Sequence, residues 1–217
     1  MDTVAVLPIK TFARAKHRLS AAVEPPGRRE LAEAMVGDVL EALGAVEGLD
    51  GLIAVTAEPR AADAARGAGA RVVHDDREAG QSAAAAMGVA AATEQGAARV
   101  LLVPGDCPAL DPGEVAALLA RGGQVVIVPD RHGAGTNALL LAPPGAIEPA
   151  FGPGSFARHA ALAREAGVSA RVAALPSLGL DVDTPDDLEA LRSALAARPG
   201  GAARTRALLE SLLPAPA

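Results

Sequence analysis

The stretch "RVLLVPGDCPALDPGEV", residues 99–115, decides the fold. Val100 to Val103 form an apolar run with no in–out alternation, and Pro104 and Gly105 then turn the chain and leave Asp106 ahead of another proline. An unbroken apolar strand needs cover on both faces, which is the situation of a parallel sheet flanked by helices. Ligands of such sheets sit beyond the carboxyl ends of the strands, so the carboxylate that follows this one is a candidate for chemistry. Asp106 could instead cap the next helix, but Asp111, followed by Pro112 and Glu114, already reads as that cap and first turn.

Outward from this stretch the same alternation repeats. Short β-branched or leucine-rich runs at 4–7, 51–56, 71–73, 99–103, 125–129 and 138–142 read as strands. Helical patterns at 28–46, 59–69, 82–95 and 111–123 lie between them. The expectation is an α/β, single-domain fold with a mostly parallel sheet flanked by helices. "ARPGGAART" (197–205) interrupts the last helical region, so the domain is expected over 1–200, with a C-terminal peripheral helix and tail over 201–217.

Composition closes off several classes of function. A net charge of −6, three Phe and no Trp or Tyr leave neither a basic footprint nor stacking platforms for nucleic acid. The start "MDTVAVLPIK" has no basic n-region ahead of a long apolar run, and the alanine-rich stretch at 82–95 is too short and too weakly apolar to span a bilayer. One cysteine, Cys107, excludes an internal disulfide. A soluble cytoplasmic protein with no membrane or nucleic-acid partner is expected.

Three further stretches carry chemistry. The loop "LPIKTFARAKHRLS" (7–20) holds Lys10 and Lys16, the only lysines against eighteen arginines, together with Arg18. Two compact ammonium groups in an arginine-biased chain suit nucleotide phosphates, although a solvated basic loop has the same composition. Neither G-x-x-x-x-G-K-[ST] nor G-x-G-x-x-G is present, which disfavours P-loop NTPases and Rossmann dehydrogenases. In "LGLDVDTPDDLEAL" (178–191), Asp181 and Asp183 stand two apart in an extended segment and so share a face. Hard oxygen donors without a Cys/His pattern point to Mg²⁺, with Asp183 as a plain helix cap the alternative. Asp186 and Asp187 read as helix-start residues, and His17, His74, His132 and His159 as surface or packing residues. In "PDRHGAGTNALLL" (129–141) and "FGPGSFARHAALAREAG" (151–167), glycines and free N–H groups at a helix start could form small-anion sites. A hairpin turn and an ordinary Ser155 cap are the plainer versions. Together the stretches suggest a reaction that joins phosphates.

"VLPIKTFARAKHRL", "VPGDCPAL", "VPDRHGAGTNALLL", "FGPGSFARH" and "LDVDTPDDL" resemble, in order and over nearly the whole chain, the guanylyltransferases of deazaflavin coenzyme F-420 biosynthesis. The resemblance implies a nucleotidyltransferase-like (Rossmann-like) fold and transfer of GMP from GTP to a small phosphorylated three-carbon acid, with phosphoenolpyruvate in the bacterial branch and 2-phospho-L-lactate or 3-phosphoglycerate in relatives. It implies Mg²⁺ on Asp106, Asp181 and Asp183, acid contacts at Thr136, Gly152 and Ser155, and a nucleotide loop of Lys10, Lys16 and Arg18. Lys16 and Asp106 become the candidate catalytic residues. It also implies that the unstable product could be handed to the next enzyme of the pathway. The chain departs from the family pattern at His17, commonly Ser, and at Gly80-Gln81-Ser82, commonly Gly-Leu-Asn, where nucleotide contacts including Gly80 are implied. The rival readings are a cytidylyltransferase, whose usual Gly/Ser-rich first loop is missing, and a non-catalytic nucleotide-binding regulatory protein on the same fold.

Overall fold

The computed structural model describes residues 2–14 and 16–212. Its strands are β1 (Thr3–Ile9), β2 (Gly51–Thr56), β3 (Arg71–His74), β4 (Arg99–Leu102), β5 (Val125–Pro129), β6 (Thr136–Leu141) and β7 (Ala170–Val172). Its helices are α1 (Pro25–Gly44), α2 (Pro59–Gly67), α3 (Gln81–Glu94), α4 (Pro112–Arg121), α5 (Ser155–Glu165), α6 (Pro176–Gly179), α7 (Pro185–Ala197) and α8 (Ala203–Leu212). Among the described residues the strands form one sheet in the order β3-β2-β1-β4-β6-β5-β7. The first three strands progress outward to one side of β1, and the chain then returns to lay β4 on its other side. The gap between the carboxyl ends of β1 and β4 is therefore the point where a doubly wound sheet opens a ligand crevice.

The expected strands are present, and the sheet is mostly parallel with one reversal. β6 runs antiparallel to both β4 and β5. The cause lies in the short loop 130–135, since a connection of that length joins neighbouring strands only head to tail. Asp130 shapes the loop: its Oδ1 accepts the N–H groups of His132 (3.1 Å) and Ala134 (3.0 Å), and its Oδ2 that of Gly135 (2.8 Å). The stretch does form the hairpin turn that its plainer reading expects. β7, with both ends exposed, has no apolar run for sequence patterning to find.

The reversed strand also carries a bulge. Val128 pairs with Ala138 but Pro129 pairs with Thr136, so Asn137 is the extra residue. Beyond it, Ala138 and Leu140 enter the first core cluster while Leu139 and Leu141 enter the second. The bulge breaks this phase, because Asn137 reaches Leu178 of the first cluster whereas Thr136 reaches His159 on the opposite side. Re-aiming side chains is what an extra residue does to a period-two strand.

The two faces of the sheet bury two cores. Ala5, Leu7 and Ile9 pack with α1, α2 and α4, while Val4 and Val6 pack with α3 and α5. The alanine-rich α3 lies very close to the sheet: a Cβ at Gly88 would collide with Val6 and stand 3.1 Å from Val55. Small residues there permit a close approach that larger ones would forbid.

A third cluster joins Leu19, Leu31, Leu180, Val182, Leu188 and Leu209. α8 docks on α1 through the buried Asp38, whose Oδ1 and Oδ2 accept the N–H groups of Arg204 (3.1 Å) and Thr205 (2.7 Å) at the start of α8. Of the segment 201–217 set apart in the sequence, Ala203–Leu212 forms this docked helix, and 213–217 lie outside the described residues. Among the described residues no helix is long and apolar enough to cross a membrane.

Candidate active site

The loop after β1 folds as two short 3-10 turns, Phe12–Arg14 and His17–Leu19, that bring Lys16 back over the sheet. Two carboxylates anchor its first half: buried Glu58 accepts the N–H of Phe12 (3.0 Å), and Glu78 accepts the hydroxyl of Thr11. Lys16 itself has φ 58°, the left-handed region, which costs a side-chain-bearing residue energy and persists only where the surroundings enforce it. Enforcement comes from the opposite loops. The Lys16 Nζ donates to Asp106 Oδ2 (2.5 Å) and Asp183 Oδ1 (3.2 Å), and its side chain is 5% exposed. Burial alone would depress this ammonium, yet Asp106 and Asp183 hold it above its ordinary value, so it stays charged. Arg18 approaches Asp183 at 3.8 Å with its own side chain largely exposed.

Asp106 and the 181–183 segment are stitched together by the backbone, where Val182 N–H donates to the Asp106 carbonyl (3.2 Å). Leu180 and Val182 point into the third cluster, which leaves Asp181 and Asp183 on the crevice side, as their spacing predicts. Asp181 accepts the Asn137 amide at 3.1 Å. Burial first, and then the Asp106 carboxylate, push the Asp181 carboxyl above the usual range. The site is thus short of positive charge even with Lys16 in place. Among the described residues no three carboxylate, imidazole or thiol side chains converge closely enough to hold a metal ion together. The Lys16 ammonium occupies the place between two of the candidate ligands.

The capping alternatives resolve in favour of other residues. Asp111 caps α4 through Gly113 (2.6 Å) and Glu114 (3.1 Å), which leaves Asp106 free of that role. Thr184, not Asp183, caps α7, in a reciprocal capping box with Asp187. Gly154, not Ser155, precedes α5, and the Ser155 hydroxyl accepts the N–H of Thr136 across 2.8 Å instead of capping its own helix. Two amides expected to be free at that helix start are occupied: Ser155 N–H bonds Gly152 and Phe156 N–H bonds Ala134. Gly152 (φ 111°) provides the turn that makes this possible.

Two clusters result, one of Lys16, Arg18, Asp106, Asp181 and Asp183, the other of Thr136, Gly152 and Ser155. The adjacent residues Thr136 and Asn137 join them. Lys10 stands exposed just beyond β1, and Gly80 (φ 109°) precedes α3 on the neighbouring loop, which Glu78 ties to Thr11. Sequence reasoning missed Asn137, Glu58 and Glu114. Glu114 accepts both the N–H and hydroxyl of Ser177 and so holds α6, whose Leu178 carbonyl takes the Asn137 amide at 2.8 Å. An amide in an otherwise apolar strand was the available signal for Asn137. His159 is buried, the packing side of the surface-or-packing expectation, and Cys107 is a buried thiol whose ionisation burial pushes well up.

Known proteins share this chain's sequence and fold. The chain is 52% identical, over 98% of its length and 97% of the other's, to a phosphoenolpyruvate guanylyltransferase of Conexibacter woesei. It is 40% identical to one of Sphaerobacter thermophilus, over 88% of this chain and 93% of that one. In structure it is similar to a putative nucleotide-diphospho-sugar transferase of Desulfovibrio desulfuricans (TM-score 0.76, 16% identity, 98% and 97% of the two chains). It also resembles a Mycobacterium tuberculosis protein solved in complex with manganese (TM-score 0.55, 20% identity, 90% and 100%). Residues 3–194 match the model of the guanylyl transferase CofC-like family, and the chain, a nucleotidyltransferase by fold and kinship, belongs to that family.

Proposed function

We propose that this protein transfers GMP from GTP to phosphoenolpyruvate with release of pyrophosphate, as a step of coenzyme F-420 biosynthesis. The observation that carries the reading is the ammonium–carboxylate cluster of Lys16, Asp106 and Asp183 at the β1/β4 crevice. It lies in a chain more than half identical, end to end, to a protein named for that reaction. In the step, an oxygen of the acceptor's phosphate attacks the α-phosphorus of GTP, the bond to the bridging oxygen of the β-phosphate breaks, and pyrophosphate departs opposite. The nucleophile is already anionic at neutral pH, so no general base is needed. What is needed is alignment and neutralisation of two polyanions.

Lys16, with Lys10 and Arg18, supplies fixed positive charge for the triphosphate. Thr136, Gly152 and Ser155 supply the acceptor's subsite, one residue along β6 from Asn137. Asp106, Asp181 and Asp183, whose side chains do not converge tightly enough here to hold a metal together, would be the Mg²⁺ ligands on the chemistry of the donor set: all are hard oxygen donors, and the upward push on Asp181 by burial and Asp106 is what a bound cation would relieve. Such an ion supplies charge neutralisation and polarisation at the α-phosphate. Manganese in a structural neighbour supports divalent metal use in this fold.

The test is pyrophosphate release from purified protein with GTP and Mg²⁺, comparing phosphoenolpyruvate, 2-phospho-L-lactate and 3-phosphoglycerate. Release with phosphoenolpyruvate alone is expected. Release with another acid alone would replace the acceptor, and binding of GTP without release for any acid would overturn the reading.

A further inference from the structure

His159 is fully buried on α5 and belongs to none of the roles assigned above. Its two ring nitrogens have fixed and different partners. The backbone N–H of Ala150 points at Nε2 across 2.9 Å, and since an amide can only donate, Nε2 must be the unprotonated nitrogen. The ring's proton is then on Nδ1, which lies 2.9 Å from the Thr136 hydroxyl oxygen. Nδ1–H therefore donates to Thr136, and the hydroxyl's own proton is turned away from the ring. Neighbouring Ser155 is treated alike, for its oxygen already accepts the Thr136 N–H at 2.8 Å. Both hydroxyls have an oxygen lone pair engaged by a protein donor, and among the described residues neither hydroxyl proton has an acceptor.

Resting on the reading that this subsite takes the acceptor acid, the geometry points to His159 as a positioning residue that converts Thr136 into an obligate outward hydrogen-bond donor for the acid's phosphate or carboxylate. It is not a base. With Nε2 taken by Ala150 and Nδ1 protonated, no lone pair remains to activate the hydroxyl. The surroundings keep the ring neutral: burial, and then the cation of Arg158 on the same helix, lower its pKa to about 4. The Phe151 ring packs edge-on at a centroid distance of 5.2 Å, and Arg158 donates to the Ala150 carbonyl (2.8 Å), fixing the residue whose N–H holds Nε2.

Two measurements test this. Imidazole ¹⁵N spectra of the wild-type protein should show one of the four histidines locked as the Nδ1–H tautomer from about pH 7 down to about pH 5, well above the value burial leaves it. An Nε2–H tautomer for the buried ring would overturn the inference whatever the enzyme's substrate. The second measurement separates the ring's two ends. His159→Gln keeps an acceptor for Ala150 and loses the donor to Thr136, while His159→Asn keeps a donor at the Nδ1 position and loses the acceptor. His159→Gln should raise KM for the acid about 10- to 100-fold with KM for GTP unchanged, and His159→Asn should bring it back to within about threefold of wild type. Equal KM values for the acid in the two variants would sink the positioning role even if the wild type turns over normally. Failure of the wild type with every acid would instead sink the reading on which it rests.

Discussion

Asp181 and Asp187 sit six residues apart, one in the segment before α7 and the other in its first turn, and have opposite fates. Asp187 Oδ2 accepts the N–H groups of Asp183 (3.2 Å) and Thr184 (2.8 Å) and the Thr184 hydroxyl (2.8 Å), while Oδ1 meets Arg131 at 2.6 Å. Burial works against its charge, yet those donors hold its carboxyl below the usual range. Asp181 has the Asn137 amide and faces Asp106, and its carboxyl is held above it. Frame carboxylates such as Asp187, Asp111 and Asp38 are filled with donors. Crevice carboxylates face one another around a single ammonium. The difference teaches that donor saturation separates the frame carboxylates from the crevice carboxylates, and that sequence acidity alone does not separate the two kinds.

The comparison breaks most visibly at Asp106 and Asp181. Asp106→Asn and Asp181→Asn should each cut turnover by about 10²- to 10³-fold or more while leaving the far-ultraviolet circular dichroism intact. Wild-type turnover in Asp106→Asn would refute the metal assignment. Asp187→Asn should do the reverse, lowering unfolding free energy by about 1–3 kcal/mol in urea titrations with a far smaller effect on turnover.

Acid sharpens the contrast. The carboxyl of Asp187 titrates lower folded than unfolded, so its stabilisation is present above the ordinary carboxylate range near ~3.9 and fades as pH falls through the depressed folded value. For Asp181 the sign is opposite: its folded value is raised, so its ionisation costs stability only as pH rises above ~3.9. Urea stabilities from about pH 7 to about pH 3 should therefore show Asp187→Asn converging on wild type, with Asp181→Asn gaining on it towards neutrality. Parallel curves would show the two residues to be equivalent after all.

The smallest effect lies in the frame itself. Among the described residues, Thr205 Oγ1 is buried with no hydrogen-bond partner beside the saturated Asp38. Thr205→Val should raise stability by up to about 1 kcal/mol without touching turnover, and a loss would mean that the hydroxyl has a partner in solution.

Much of this was legible in sequence, for identifiable reasons. Unbroken apolar runs such as Val100 to Val103 announce strands covered on both faces, and the carboxylate behind that run marks the crevice. Asp111 and the Thr184 region carry cap signatures readable from short-range chemistry alone. What sequence did not convey depends on contacts distant along the chain. Lys16 meets Asp183 across 167 positions, Asn137 meets Asp181 across 44, and Ser155 serves Thr136 instead of its own helix. The reversal of β6 was concealed because a strand buried on both faces reads the same in either direction.

The bulge at Asn137 makes the site depend on a count as well as on residue identities. Strict alternation back from Ala138 would have sent Asn137 to α5 and Thr136 towards Asp181, exchanging the amide and the hydroxyl between the two subsites. One inserted residue sets which of the two clusters each group joins. Every substitution in this strand edits a word, whereas deleting a single residue between Pro129 and Ala138 would shift the reading frame of the pocket.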